Sequence, residues 1–121
     1  MNRLTGLVLV VAFMATMVAS ASYATVGYTF TTIKSTLIDS EGTFGGCGVL
    51  IGKMPDNVDC PNRWVVASCD GQFSSTQFAW RKYEEAKIAQ VLGATVRVFI
   101  DDSRKVGNNC FLQRIDSLSI P

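Results

Sequence analysis

The chain carries no histidine. That absence removes Ser-His-Asp and Cys-His nucleophile systems, and with them the usual catalytic zinc sites. Carboxylates, guanidiniums, amines and thiols remain. Two carboxylate pairs stand out, Glu84-Glu85 and Asp101-Asp102. Neighbouring side chains on an extended segment point apart, so Asp101 and Asp102 do not form the facing pair that glycoside hydrolysis requires. Glu84-Glu85 fits the solvated side of a helix. These residues point to recognition rather than to an enzyme.

The four thiols are Cys47, Cys60, Cys69 and Cys110. Zinc knuckles bring ligands in close pairs such as C-x2-C, and the closest pair here is Cys60 and Cys69. An even number of cysteines in a short exported chain implies a disulfide framework instead. No metal and no cofactor is expected.

Export is written at the start of the chain. Arg3 gives a positive beginning, Leu7 to Met14 an apolar run, and Ala19-Ser20-Ala21 a small-x-Ala end, the three parts of a secretory signal peptide. Cleavage is expected after Ala21, with Ala24 as the alternative end. The apolar run is shorter than the ~20 residues that span a bilayer, so no membrane span remains after cleavage. The mature chain, residues 22–121, is 100 residues long and holds ten basic against ten acidic residues. That is one domain in the periplasm or the medium. A charge near zero argues against a nucleic-acid partner, which needs a basic face.

The elements that position these residues follow from pattern. Tyr28–Ile38 is β-branched and aromatic, a strand signature. Tyr28 and Phe30 share one parity while Ile33 and Leu37 take the other, which implies a β-bulge near Thr32. Asp39–Gly42 is a turn. Phe44–Gly52 is a second strand weakened by Gly45, Gly46 and Gly48, and Arg63–Cys69 is a third. A helix is expected over Thr76–Leu92, capped by Ser74 or Ser75 and stopped by Gly93. Ala79, Tyr83 and Ala86 form its apolar stripe, and Arg81 pairs with Glu85 across one turn. Thr95–Ile100 alternates cleanly, Asp101–Asn109 is a polar loop, and Cys110–Ile120 is the last strand. Val66, Tyr83, Ala86, Val96, Val98 and Ile100 should share one core. Core packing is also the favoured role for Trp64, Trp80, Tyr28 and Phe30.

The order β-β-β-α-β-β makes the chain mainly β and matches a small OB-like five-stranded barrel with its helix between strands 3 and 4. A β-sandwich or an open α+β sheet are the rival architectures. OB barrels bind oligosaccharides and oligonucleotides on strands 2–3, between the loops joining strands 1–2 and 4–5. Those loops hold Asp39 and Glu41, then Asp101, Asp102, Arg104, Lys105 and Asn108. These are the hydrogen-bonding groups that sugar hydroxyls require, and the basic pair suits an acidic sugar or a partner carboxylate.

Geometry also constrains the disulfides. An extended segment of residues 60–69 would be ~30 Å long, too far for Cys60–Cys69. A hairpin of strands 2 and 3 places Cys47 opposite residues 65–67, nearer Cys69 than Cys60. The parallel starts of strands 3 and 5 bring Cys60 to Cys110. The wide hairpin loop leaves the register loose, so Cys47–Cys69 with Cys60–Cys110 is expected while Cys47–Cys60 stays open.

Cys47, Cys69, the helix with Phe78, Tyr83 and Ala86, and Gly93-Ala-Thr-Val-Arg-Val98 carry a likeness over residues 44–100. They resemble the OB-fold glycan-binding B subunits of bacterial toxins, the subtilase-cytotoxin type in particular. Cys60 and Cys110 fall outside that pattern, and no glycan-contacting motif in the first strand maps onto it. The resemblance implies an exported, non-enzymatic binding module with a glycan as ligand and a ring of copies as its assembly. The alternative is a periplasmic or secreted structural or inhibitory protein that binds another exported protein.

Overall fold

Residues 25–118 are described by a computed structural model, and the expected leader lies outside them. The elements are β1 (Val26–Ile38), β2 (Cys47–Ile51), β3 (Trp64–Val66), α1 (Thr76–Leu92), β4 (Thr95–Val106) and β5 (Asn109–Ser117). The strands close in the order β1-β2-β3-β5-β4. Every pairing is antiparallel except β3 with β5. This is the OB-like barrel that the element order implied.

β1 is long enough to serve two walls because it bends. Its register against β2 slips between Ile33 and Ser35, so the bulge sits slightly beyond Thr32. Before it, Gly27, Thr29, Thr31 and Ile33 pair with or continue the inward set of β4. After it the parity reverses: Thr36 lies opposite buried Val49, and Leu37 opposite Gly48 on the outer side. Leu37 and Ile33 therefore occupy different faces despite their even spacing. β2 begins only at Cys47, because Gly46 adopts φ +86° in the loop that precedes it.

The helix has the expected limits for the expected reasons. Ser75 Oγ accepts the Phe78 N–H at 3.3 Å, and Gly93 in the left-handed region ends it. The Arg81–Glu85 pairing does not form. Glu85 instead accepts the Ser117 hydroxyl at 2.8 Å, while Arg81 lies over the Phe78 ring.

Two apolar clusters replace the single expected core. Ile33, Val49, Ile51, Val65, Val96, Val98, Ile100, Cys110 and Leu112 fill the barrel with Ala86 and Ala89 of α1 as a plug. Tyr83 belongs to the second cluster, with Ala79, Ala67 and the Cys47–Cys69 bridge. Val66 is fully buried but points away from its neighbour Val65, opposite Gly48. The bridges are Cys47–Cys69 and Cys60–Cys110, with Cα atoms 5.5 and 5.9 Å apart.

Val98 is fully buried at the centre of β4. Val98→Asp should lower stability by about 3–5 kcal/mol through an unpaired buried charge. Urea unfolding of the two proteins checks this, and coincident curves would contradict the placement of Val98 in the barrel.

Candidate functional site

The two expected loops meet at one end of the barrel. In the β1–β2 loop the Asp39 N–H donates to Gly46 O at 3.1 Å, and the Glu41 N–H to Asp39 Oδ1 at 2.8 Å. Asn109 Nδ2 donates to Thr43 O at 3.5 Å, and a Cβ on Gly45 would lie 3.5 Å from Val106 Cγ2. The β1–β2 loop thus leans on the tip of the β4–β5 hairpin. Phe44 and Trp64 pack at a 59° tilt on the adjoining outer face of β2 and β3, their ring centroids 5.3 Å apart. Both are half-buried, so Trp64 covers the sheet from outside instead of entering the core.

The expected polar loop over Asp101–Asn109 is mostly strand. β4 runs to Val106, where Lys105 pairs with Cys110 and Val106 with Asn109. Gly107-Asn108 is a two-residue hairpin turn with Gly107 at φ +60°. The register slips between Asp101 and Lys105, and the strand survives because its polar groups find local partners. Asp101 is buried, and its Oδ1 accepts the Ser103 N–H and hydroxyl at 2.9 and 2.6 Å. Arg104 Nε lies 3.6 Å from its other oxygen.

Asp102 clamps backbone. Its two oxygens accept the N–H groups of Thr25 and Asp59, each at 3.0 Å. The Asp59 N–H, with the Thr25 N–H and the Lys105 charge, holds this carboxyl below its ordinary value. Lys105 reaches Asp59 at 3.9 Å. Glu41, Arg104 and Asn108 are exposed, while Asp39, Asp102 and Lys105 are half-buried. Glu41 and Asn108 are free to present groups outward, and Arg104 Nη1 donates to Phe73 O at 3.3 Å. Asp101 and Asp102 instead secure the start of β1 and the β2–β3 connection.

A second surface lies on the outer wall of β1, β4 and β5. Tyr28 and Phe30 were expected inside, yet they are 59% and 52% exposed. The register sets two rows across three strands: Tyr28–Phe99–Arg114 and Phe30–Arg97–Asp116. Tyr28 packs on Phe99 at 5.6 Å, and the guanidiniums of Arg97 and Arg114 lie 5.3 and 5.0 Å from the Phe99 centroid. Asp116 accepts Arg97 Nε and Nη2 at 3.0 and 2.6 Å and Arg114 Nε at 2.6 Å. The bonds from Arg97 and then Arg114 keep its carboxyl below the ordinary range. The alternation of Tyr28 and Phe30 was visible in the sequence, but their direction was not.

The chain matches no protein-family model, no curated protein and no solved structure. Among the described residues, no helix is long and apolar enough to cross a membrane, and no three acidic or thiol side chains gather as a metal site.

Lys82 ties α1 to β5. Its Nζ donates to Leu112 O at 2.7 Å and sits 4.2 Å from the Phe111 centroid. Burial pulls its pKa from 10.5 down to about 8. Between those values the unfolded chain binds more protons than the folded one, so this lysine's contribution to stability rises with pH across that interval. Below about 8 its burial penalty is fully present. The stability of the wild type relative to Lys82→Met should therefore rise from neutral pH towards 10.5. Urea titrations at a series of pH values check this, and a constant difference would contradict it.

Proposed function

We propose that this chain is an exported, non-enzymatic binding module that takes a glycan across the outer face of β2 and β3. The supporting observation is the contact between the Asp39–Gly46 loop and the β4–β5 hairpin beside the Phe44–Trp64 pair. Small barrels of this topology bind oligosaccharides on that face. Glu41 and Asn108 offer acceptors and donors from the two loops, with Asp39 holding the first loop, while Arg104 and Lys105 would add charge from β4. Asp101 and Asp102 act through the backbone they hold. Two disulfides suit an oxidising compartment outside the cytoplasm.

A glycan array read with the exported protein tests this. Binding to at least one glycan class is expected, weakened about tenfold by Trp64→Ala or by Glu41→Ala with Asn108→Ala, a loss of roughly 1.4 kcal/mol. An intact protein that binds no glycan on the array would sink the reading.

A protein partner, a second copy included, has its own support. α1 is apolar on its solvent side near its C-terminus, where Ile88, Val91 and Leu92 are 56%, 79% and 73% exposed. They line a groove of about 340 Å³ with Lys87. A contiguous exposed apolar patch on a helix is ordinarily covered by a partner. Light scattering is expected to give a mass above the monomer's, reduced to the monomer's by Val91→Lys with Leu92→Lys. A wild type that remains monomeric at high concentration would contradict self-assembly.

A further inference from the structure

We propose a second carbohydrate site on the outer wall of β1, β4 and β5, formed by Tyr28, Phe30, Arg97, Phe99, Arg114 and Asp116, that takes a neutral hexopyranose. The barrel order places this wall across from β2 and β3, so the site is independent of the loop-end face.

Tyr28 and Phe30 are the exposed rings of this wall, set edge to face with centroids 6.4 Å apart, and Phe99 lies half-buried between Tyr28 and the two guanidiniums. An aromatic face is electron-rich, and the C–H groups on one side of a pyranose ring carry the matching polarity. The polar rim fits the sugar's hydroxyls. Arg97 gives Nε and Nη2 to Asp116, and Arg114 gives Nε. A guanidinium has five N–H donors, so Arg97 Nη1 and both Nη groups of Arg114 have no partner among the described residues. Asp116 retains lone pairs beside them. A hydroxyl both donates and accepts, and this wall offers both functions next to the rings.

The same features disfavour other occupants. A polyanion would meet the Asp116 carboxylate, which lies between the two guanidiniums, on a mature chain of ten basic and ten acidic residues. A dry protein interface would strip water from the Arg97–Asp116–Arg114 triad and leave its remaining donors unpaired, a costly burial. A neutral sugar supplies partners for those donors and leaves the triad intact.

The test uses ¹⁵N-labelled protein purified after export, its disulfides intact. It is titrated with methyl galactoside, methyl glucoside and methyl mannoside, and separately with a thymidine oligonucleotide. At least one hexoside should move the amides of Tyr28, Phe30, Arg97, Phe99 and Arg114 saturably. Tyr28→Ala and Phe30→Ala alter exposed side chains and should preserve the rest of the spectrum while raising that Kd about tenfold. Three results would overturn the site: no response of this wall to any hexoside, a larger response to the oligonucleotide, or hexoside shifts confined to residues 39–46 and 107–108. The last would leave the loop-end face standing. Shifts on this wall alone would support the second site.

Discussion

The closed barrel depends on its weakest seam, the parallel pairing of β3 with β5. β3 is three residues long, and only Val65↔Cys110 and Val66↔Phe111 register across it. Parallel pairs are slightly less stable per residue than antiparallel ones, and two positions give little cooperativity. The bridges make good this shortage. Cys60 precedes β3 and joins Cys110, itself a seam residue; Cys69 follows β3 and joins Cys47 at the start of β2. The short strand is bracketed at both ends. On chain-entropy grounds the longer bridge contributes about 4 kcal/mol and the shorter about 3, against a whole-domain stability of ~5–15 kcal/mol.

Closure has a functional consequence. A closed barrel leaves no unpaired strand edge to recruit another chain, so its outer walls can carry exposed rings safely. Register then decides which groups become neighbours. Tyr28, Phe99 and Arg114 align because β1, β4 and β5 pair in step, and the slip at Ile33/Ser35 turns Leu37 outward to cover Gly48 on another wall. One strand thereby contributes to two surfaces of different chemistry.

Much of this was legible where the determinants are local or covalent. Ser75 and Gly93 delimit α1, and the strand order together with cysteine spacing led to the pairing of the bridges. The polar run Asp101–Lys105 misled, since its strand persists through partners supplied by Ser103, Thr25 and Asp59. Gly107-Asn108 was the overlooked hairpin signal. The direction of Tyr28 and Phe30 depends on remote chain. The connection between β2 and β3 lies over the start of β1, where any side chain on Gly27 would collide with Asn57, Val58 and Pro55. Thr31 Oγ accepts the Lys53 N–H at 2.8 Å from the same connection. With that side closed to large groups, the aromatic rings must face outward. The loop-end face was readable once the fold was inferred; the second wall required the register.

Native-state amide hydrogen exchange on the wild type and on Cys60→Ala with Cys110→Ala tests the dependence on the seam most directly. Opening should be selective, with protection lost at Val65, Val66 and Phe111 while the β1–β4 pairing from Gly27 to Thr31 stays protected. Unchanged protection at the seam, or an equal loss throughout the barrel, would contradict the claim that this bridge holds β3 against β5.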